Sequence, residues 1–100
     1  MRKALVIGID KYPTQPLGGC ENDAAAVANT LTSNGDGSPN FSVKLLTSDN
    51  TNVTSAAIEA ALAELFAGDA ETALLYFAGH GIINPITNAG YIVSLTESEN

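Results

Sequence analysis

The chain has 100 residues, 45% of them apolar and 15% charged, with four basic side chains against eleven acidic ones and a formal net charge of −7. That length fits one small domain or a piece of a larger one, and the apolar fraction can fill a core. All four basic residues (Arg2, Lys3, Lys11, Lys44) fall in residues 1–44, whereas residues 45–100 carry seven acids and no Lys or Arg; such a surface repels phosphate backbones, which excludes a nucleic-acid partner from the expected ones and would favour cationic substrates or divalent ions.

The N-terminal "MRKALVIGID" places an apolar run after two basic residues. The run, Ala4–Ile9, ends in Asp10 and is too short for the apolar part of a signal peptide or for a membrane span. It reads as a strand covered on both faces, in a cytoplasmic protein with no membrane partner. "KYPTQPLGG" follows, a loop by its two prolines and two glycines. Asn22 or Asp23 then offers an N-cap to a helix with Ala24, Val27, Ala28 and Leu31 on one face. "SNGDGSPN" ends that helix. "FSVKLL" alternates apolar and polar residues, as an edge strand does. Ile58, Ala61, Leu62, Leu65 and Phe66 recur at helical spacing, and Gly68 is placed to stop the helix. "TALLYFAG" is a second fully apolar strand; after His80 the chain loops through "NPITNAG" to a short strand in "YIVSL". No repeat, low-complexity tract or interdomain linker interrupts this order.

Alternation of strands and helices is the pattern of an open, mostly parallel sheet with helices on both faces. Right-handed crossovers and a weak strand at 41–46 give a sheet order of 2-1-3, with strands 4–9 and 73–78 as central neighbours. Ligands of such sheets bind beyond the carboxyl ends of the strands, at the switch between neighbours wound in opposite directions. The loop after Ile9 and the tip at His80 therefore belong side by side.

His80 is the only histidine, set between Gly79 and Gly81. Imidazole is suited to moving protons at neutral pH. The glycines let a substrate backbone approach and leave the Gly81 N–H free to donate to an oxyanion. Cys20 is the only thiol, which excludes an internal disulfide and a cysteine-rich metal site. It sits in "GGCENDA", on the loop feeding the first helix, and reads either as a small buried hydrophobe or as a reactive thiol, with Glu21 and Asp23 opposing its ionisation. Asp23 reads either as a helix N-cap or as a carboxylate facing the cleft. Asp10 and Lys11 end the first strand and can cap the turn.

"ALVIGIDKY", "LGGCENDA", the helix at 58–66 and "LLYFAGHG" resemble, in order and spacing, the N-terminal part of the caspase-like cysteine peptidases. The match is to the metacaspase branch and its bacterial relatives, whose motifs read GI-x-x-Y, GC-x-NDA and Y-x-GHG. The resemblance implies a three-layer caspase-like α/β fold, incomplete here, with a doubly wound, mostly parallel sheet. It implies that His80 is the histidine of a Cys-His dyad and that Gly81 supplies a backbone N–H to the oxyanion. Asp23 matches an acid of the pocket that takes Arg or Lys before the scissile bond of a polypeptide substrate, and Cys20 a secondary thiol. "PLGGCENDA" lacks the arginines with which animal caspases grip a substrate aspartate.

In these enzymes the nucleophilic Cys follows the histidine by roughly 50 residues. Here 20 residues follow His80, none of them Cys, and Cys20 lies 60 residues before it. Asp10 stands where the family often has Asn. The expectation is that residues 1–100 are the histidine-bearing part of an endopeptidase domain, inactive until the remainder of the domain supplies a thiol. No metal or cofactor is expected in this segment, and the resemblance leaves a calcium requirement open for the complete enzyme. The alternative of a different class is a catalytically dead caspase-like scaffold or regulatory module. A receiver-like domain holding a divalent ion at Asp10 fits less well, since His80 stands where a receiver carries its phospho-acceptor Asp.

Overall fold

Seven residues at the start of the chain carry the sheet. Strand β1 (Arg2–Gly8) lies between β2 (Ser42–Thr47) and β3 (Thr72–Ala78), both parallel to it, in the order β2-β1-β3. Val6 faces Leu45 on one side and Tyr76 on the other. The structure is a computed structural model that describes residues 2–13, 15–83, 86–87 and 90–95.

Successive side chains of a strand point to opposite faces, and β1 uses both. Ala4 and Val6 pack with Ala24 and Ala28 of helix α1 (Cys20–Thr32). Leu5, Ile7 and Ile9 pack on the other face with Val53 and with Ile58, Ala61 and Leu65 of helix α2 (Ser55–Phe66). The result is three layers, helix on sheet on helix, the doubly wound α/β arrangement expected of the sequence. Leu5, Val6, Ile7 and Ile9 are each 1% exposed or less, and each such side chain contributes about 1.5–3 kcal/mol by leaving water. Helix α1 packs on the strand at Gly8, where a Cβ would stand 2.5 Å from the Cys20 carbonyl oxygen and 2.7 Å from Ala24 Cβ. Only glycine admits that approach.

Several local expectations change. Helix α1 does not start from an Asn22 or Asp23 cap. It begins at Cys20, with Gly19 in the cap position at φ 111° and no side-chain cap of its own; the cap comes from Asp10, as described below. Helix α2 is capped by Thr54, whose hydroxyl accepts from the Ala57 N–H at 3.2 Å. It ends at Phe66, which is 68% exposed rather than on the packed face, and Gly68 follows at φ 81°. Strand β3 is less covered than its composition suggests: Leu75 is 46% exposed, because among the described residues only β1 pairs with β3.

After His80 a short strand appears that the sequence did not signal, β4 (Gly81–Ile83), antiparallel to β5 (Gly90–Ile92). Most of the expected loop between them lies outside the described residues. Beyond β5, the Leu95 N–H donates to the Val53 carbonyl at 2.8 Å, and the Ser94 and Ser55 hydroxyls are 2.8 Å apart. The return strand is thereby tied to the start of α2.

Candidate active site

The site forms at the carboxyl ends of β1 and β3. Their ladder runs on past Gly8, with the Ile9 N–H donating to the Ala78 carbonyl at 2.9 Å, so residues 10–12 come to lie beside 79–80.

Asp10 organises the first half. Its backbone N–H donates to the Ser48 hydroxyl at 2.9 Å, and its carbonyl accepts from the Tyr12 and Leu17 N–H groups at 3.0 and 2.8 Å. Its carboxylate spans the start of α1: Oδ1 accepts from the Cys20 N–H at 2.9 Å and Oδ2 from the Glu21 N–H at 3.0 Å. Two of the helix's unpaired donors are thus satisfied by an acid ten residues earlier, with its negative charge at the positive end of the helix. Burial pushes the Asp10 carboxyl up, but the N–H groups of Glu21, Cys20 and Gly19 together with the Cys20 side chain outweigh it and hold it below its ordinary value. Glu21 accepts from the Ser48 hydroxyl and lies 3.9 Å from Lys11, closing a ring of contacts around this corner.

Cys20 is the first residue of α1, not part of the loop before it, and is half-buried. A helix N-terminus alone would favour its thiolate. Burial instead pushes the thiol up, and the Asp10 carboxylate, Asp23 and Glu21 push the same way. No hydrogen bond joins it to His80 among the described residues. Asp23 is exposed in the first turn of the helix, its N–H on the Gly19 carbonyl. With Asp10 serving as the cap, the Asp23 carboxylate makes no hydrogen bond or ion pair among the described residues.

His80 is held at three points. Its Nε2 lies 2.8 Å from the Gln15 carbonyl oxygen. A carbonyl can only accept, so Nε2 carries the hydrogen and Nδ1 of the neutral ring keeps its lone pair. Among the described residues Nδ1 has no partner. Gln15 reaches the ring with φ 56°, a left-handed conformation that a non-glycine residue adopts at a cost of about 1–3 kcal/mol. Tyr12 packs on the imidazole, ring centroids 4.5 Å apart and planes at 49°. The His80 N–H donates to the Tyr12 hydroxyl at 3.0 Å, and that hydroxyl donates to the Val93 carbonyl at 2.7 Å. Burial pushes the Tyr12 phenol above its ordinary value, against the lowering effect of the His80 N–H and with the negative fields of Cys20 and Asp10 adding to the rise. Gly81, next in sequence, is exposed and opens β4 opposite Ile92.

The structure therefore brings Tyr12, Gln15 and Val93 together around His80, and Asp10 holds the segment that carries Tyr12. Cys20 and Asp23 stand on the adjoining helix start. Sequence reasoning passed over Tyr12, Gln15 and Val93. Tyr12 could have been found from its place in "GIDKY", four residues past Gly8, whereas Gln15 and Val93 act through backbone atoms that any residue carries.

Elsewhere a cavity of about 360 Å³ opens at the opposite end of the sheet, lined by residues that include Lys3, Lys44, Ala61 and Glu64; Lys44 and Glu64 pair there at 3.3 Å. Among the described residues no three His, Cys, Asp or Glu side chains are grouped to hold a metal ion. Among them, too, no helix is long and apolar enough to cross a membrane.

A family model described as caspase domain matches residues 1–99. No curated protein and no solved structure shows significant similarity. The family match, over a three-layer α/β chain with its lone histidine pinned at the carboxyl end of β3, settles the assignment: the chain belongs to the caspase domain family, a caspase-like peptidase domain whose substrate class is polypeptide.

Proposed function

We propose that the chain is the histidine-bearing part of a metacaspase-like cysteine endopeptidase that cleaves after Arg or Lys. The observation that carries this reading is the hydrogen bond between His80 Nε2 and the Gln15 carbonyl. It fixes the tautomer and leaves Nδ1 able to take a proton, which is what a general base beside a nucleophile needs.

In this reading His80 takes the proton of a cysteine thiol, and the sulfur attacks the carbonyl carbon of the scissile bond. The carbonyl electron pair moves to oxygen, where the Gly81 N–H stabilises it. Collapse breaks the C–N bond, and the leaving amine takes the proton from His80. Water then opens the thioester, with His80 accepting its proton and returning it to sulfur. The thiol is not Cys20, whose ionisation is opposed by burial and three nearby carboxylates; it comes from outside these 100 residues. Residues 1–100 by themselves are accordingly inactive. Asp23, free of capping duty on an acidic surface, is the group that would accept a cationic side chain before the scissile bond.

The test uses the enzyme containing this chain and its nucleophile. His80→Ala should lower turnover by at least ~10²-fold while the protein remains folded. Asp23→Ala should lower kcat/KM for Arg and Lys peptides by at least ~10-fold, in keeping with loss of a partly desolvated charge pair. Full turnover by His80→Ala would reject the catalytic role, a wild-type preference for Asp before the bond would reject the pocket, and no turnover by the wild type on any peptide would make the domain a scaffold.

A further inference from the structure

At residues 80 and 93 the β4–β5 ladder is built unevenly. The register pairs Gly81 with Ile92, so His80 falls opposite Val93. One expected bond is direct, the Val93 N–H donating to the His80 carbonyl at 2.9 Å. The reciprocal bond, His80 N–H to Val93 carbonyl, is replaced by two that pass through the Tyr12 hydroxyl, at 3.0 and 2.7 Å. A phenol has one hydrogen to donate and lone pairs to accept with, and here both capacities are used on main-chain groups, accepting from the His80 N–H and donating to the Val93 carbonyl. The same side chain lays its ring against the imidazole. Gly79 makes room for it: a Cβ there would stand 2.7 Å from the Tyr12 hydroxyl and 2.7 Å from Phe77 Cζ.

We propose that Tyr12 is the positioning residue of the dyad histidine, its hydroxyl serving as an inserted rung that fixes the His80 backbone while its ring fixes the imidazole plane. This rests on the reading of His80 as the general base. Reacting groups must be held within fractions of an ångström for efficient transfer. An imidazole on one backbone bond and one carbonyl contact is not so held unless its own main chain is pinned. Tyr12 supplies that pin from the segment just after β1, where it is buried against the core that β1 anchors.

The test compares Tyr12→Phe and Gly79→Ala in the enzyme containing this chain and its nucleophile. The first removes only the hydroxyl, and the second displaces it while leaving Tyr12 itself unchanged. Each is expected to lower kcat on an Arg peptide amide at least ten-fold per active site, counted by titration with a peptidyl chloromethyl ketone, with KM changed less than two-fold. Each is also expected to speed amide hydrogen exchange at His80 at least ten-fold while leaving Val6 and Ile7 unchanged. The double variant should be no worse than the poorer single one, since both remove the same contact. A purely structural Tyr12 would lower the count of active sites without moving kcat per site. Unchanged exchange at His80 in Tyr12→Phe would overturn the inserted rung, and unchanged kcat per site would overturn the positioning role. If Tyr12→Phe fails to fold, Gly79→Ala gives both readouts with the same expectations. A fully active His80→Ala would instead defeat the catalytic reading, and the positioning role with it, whatever the exchange result.

Discussion

Replacing Asp10 probes the joint between strand and helix on which the whole corner depends. Asp10→Asn keeps the size of the side chain but turns one oxygen into an NH₂ group facing an N–H donor, so one of the two bonds to Cys20 and Glu21 is lost along with the charge. A hydrogen bond to a charged group contributes about 1.5–3 kcal/mol, and the charge at a helix start about 0.3–1 kcal/mol more. Asp10→Asn should therefore cost about 2 kcal/mol at pH 7, and Asp10→Ala, which removes both bonds, about 3 kcal/mol. For a domain of this length 2 kcal/mol is about 8–16 °C in Tm. The pH dependence has a fixed sign. The Asp10 carboxyl is held below its ordinary 3.8 in the folded state, so the unfolded chain binds the proton first as pH falls. The extra stability is complete above the unfolded value and is lost as pH drops below 3.8 through the lower folded value. Urea unfolding of wild type and Asp10→Asn at pH 7 and at falling pH below 3.8 should show a gap that narrows in acid. A gap under about 0.5 kcal/mol at pH 7, within the ordinary scatter of surface substitutions, or one that persists unchanged in acid, would refute the capping role.

Gly8→Ala should destabilise by at least about 1–3 kcal/mol, the usual cost of overpacking, because the new methyl meets backbone at Cys20 as well as Ala24 Cβ; a thermal melt within 1 °C of wild type would show that the helix can shift freely. Cys20 should react with iodoacetamide at neutral pH more slowly than free cysteine, because burial and the nearby carboxylates suppress its ionisation, and Cys20→Ala should leave turnover of the enzyme intact; rapid alkylation with loss of turnover would make it the nucleophile. Thr54→Ala, deleting the α2 cap, should cost about 1 kcal/mol in urea unfolding, and no change would mean that water replaces the hydroxyl.

The order of elements and the 2-1-3 sheet were readable because composition tracks burial so closely in β1 and in the alternating β2. The helix α1 start was not, since its capping acid lies ten residues upstream and a local rule looks at Asn22 and Asp23. Leu75 read as buried because apolar letters do not reveal whether a strand has one neighbour or two. His80 could be placed at the functional end of the sheet from topology alone. Its restraints could not: Gln15 contributes a carbonyl, Val93 a carbonyl and an N–H, and Tyr12 a hydroxyl 68 residues away in sequence. A three-residue strand such as β4 has no periodicity to detect.

The separations between these partners bear on when the site comes into being. The Tyr12 hydroxyl and the Val93 carbonyl are 81 residues apart along the chain, whereas Val6 pairs with Leu45 at about half that separation, packs with Ala24 and Ala28 of α1 at about a quarter of it, and pairs with Tyr76 at a separation still shorter than 81. Contacts of such high order form late, after nearer pairings have brought their ends together. The β1–β2–α1 part should thus assemble first, β3 join it next, and the histidine acquire its fixed orientation only once residue 93 docks. With pulsed exchange labelling during refolding, the amides of Val6 and Ile7 should gain protection before those of His80 and Val93; simultaneous protection would remove the lag. For a proteolytic domain the lag is a form of self-restraint: during synthesis the nascent chain holds β1, β2 and β3 with an unaimed imidazole until residue 93 has emerged as well.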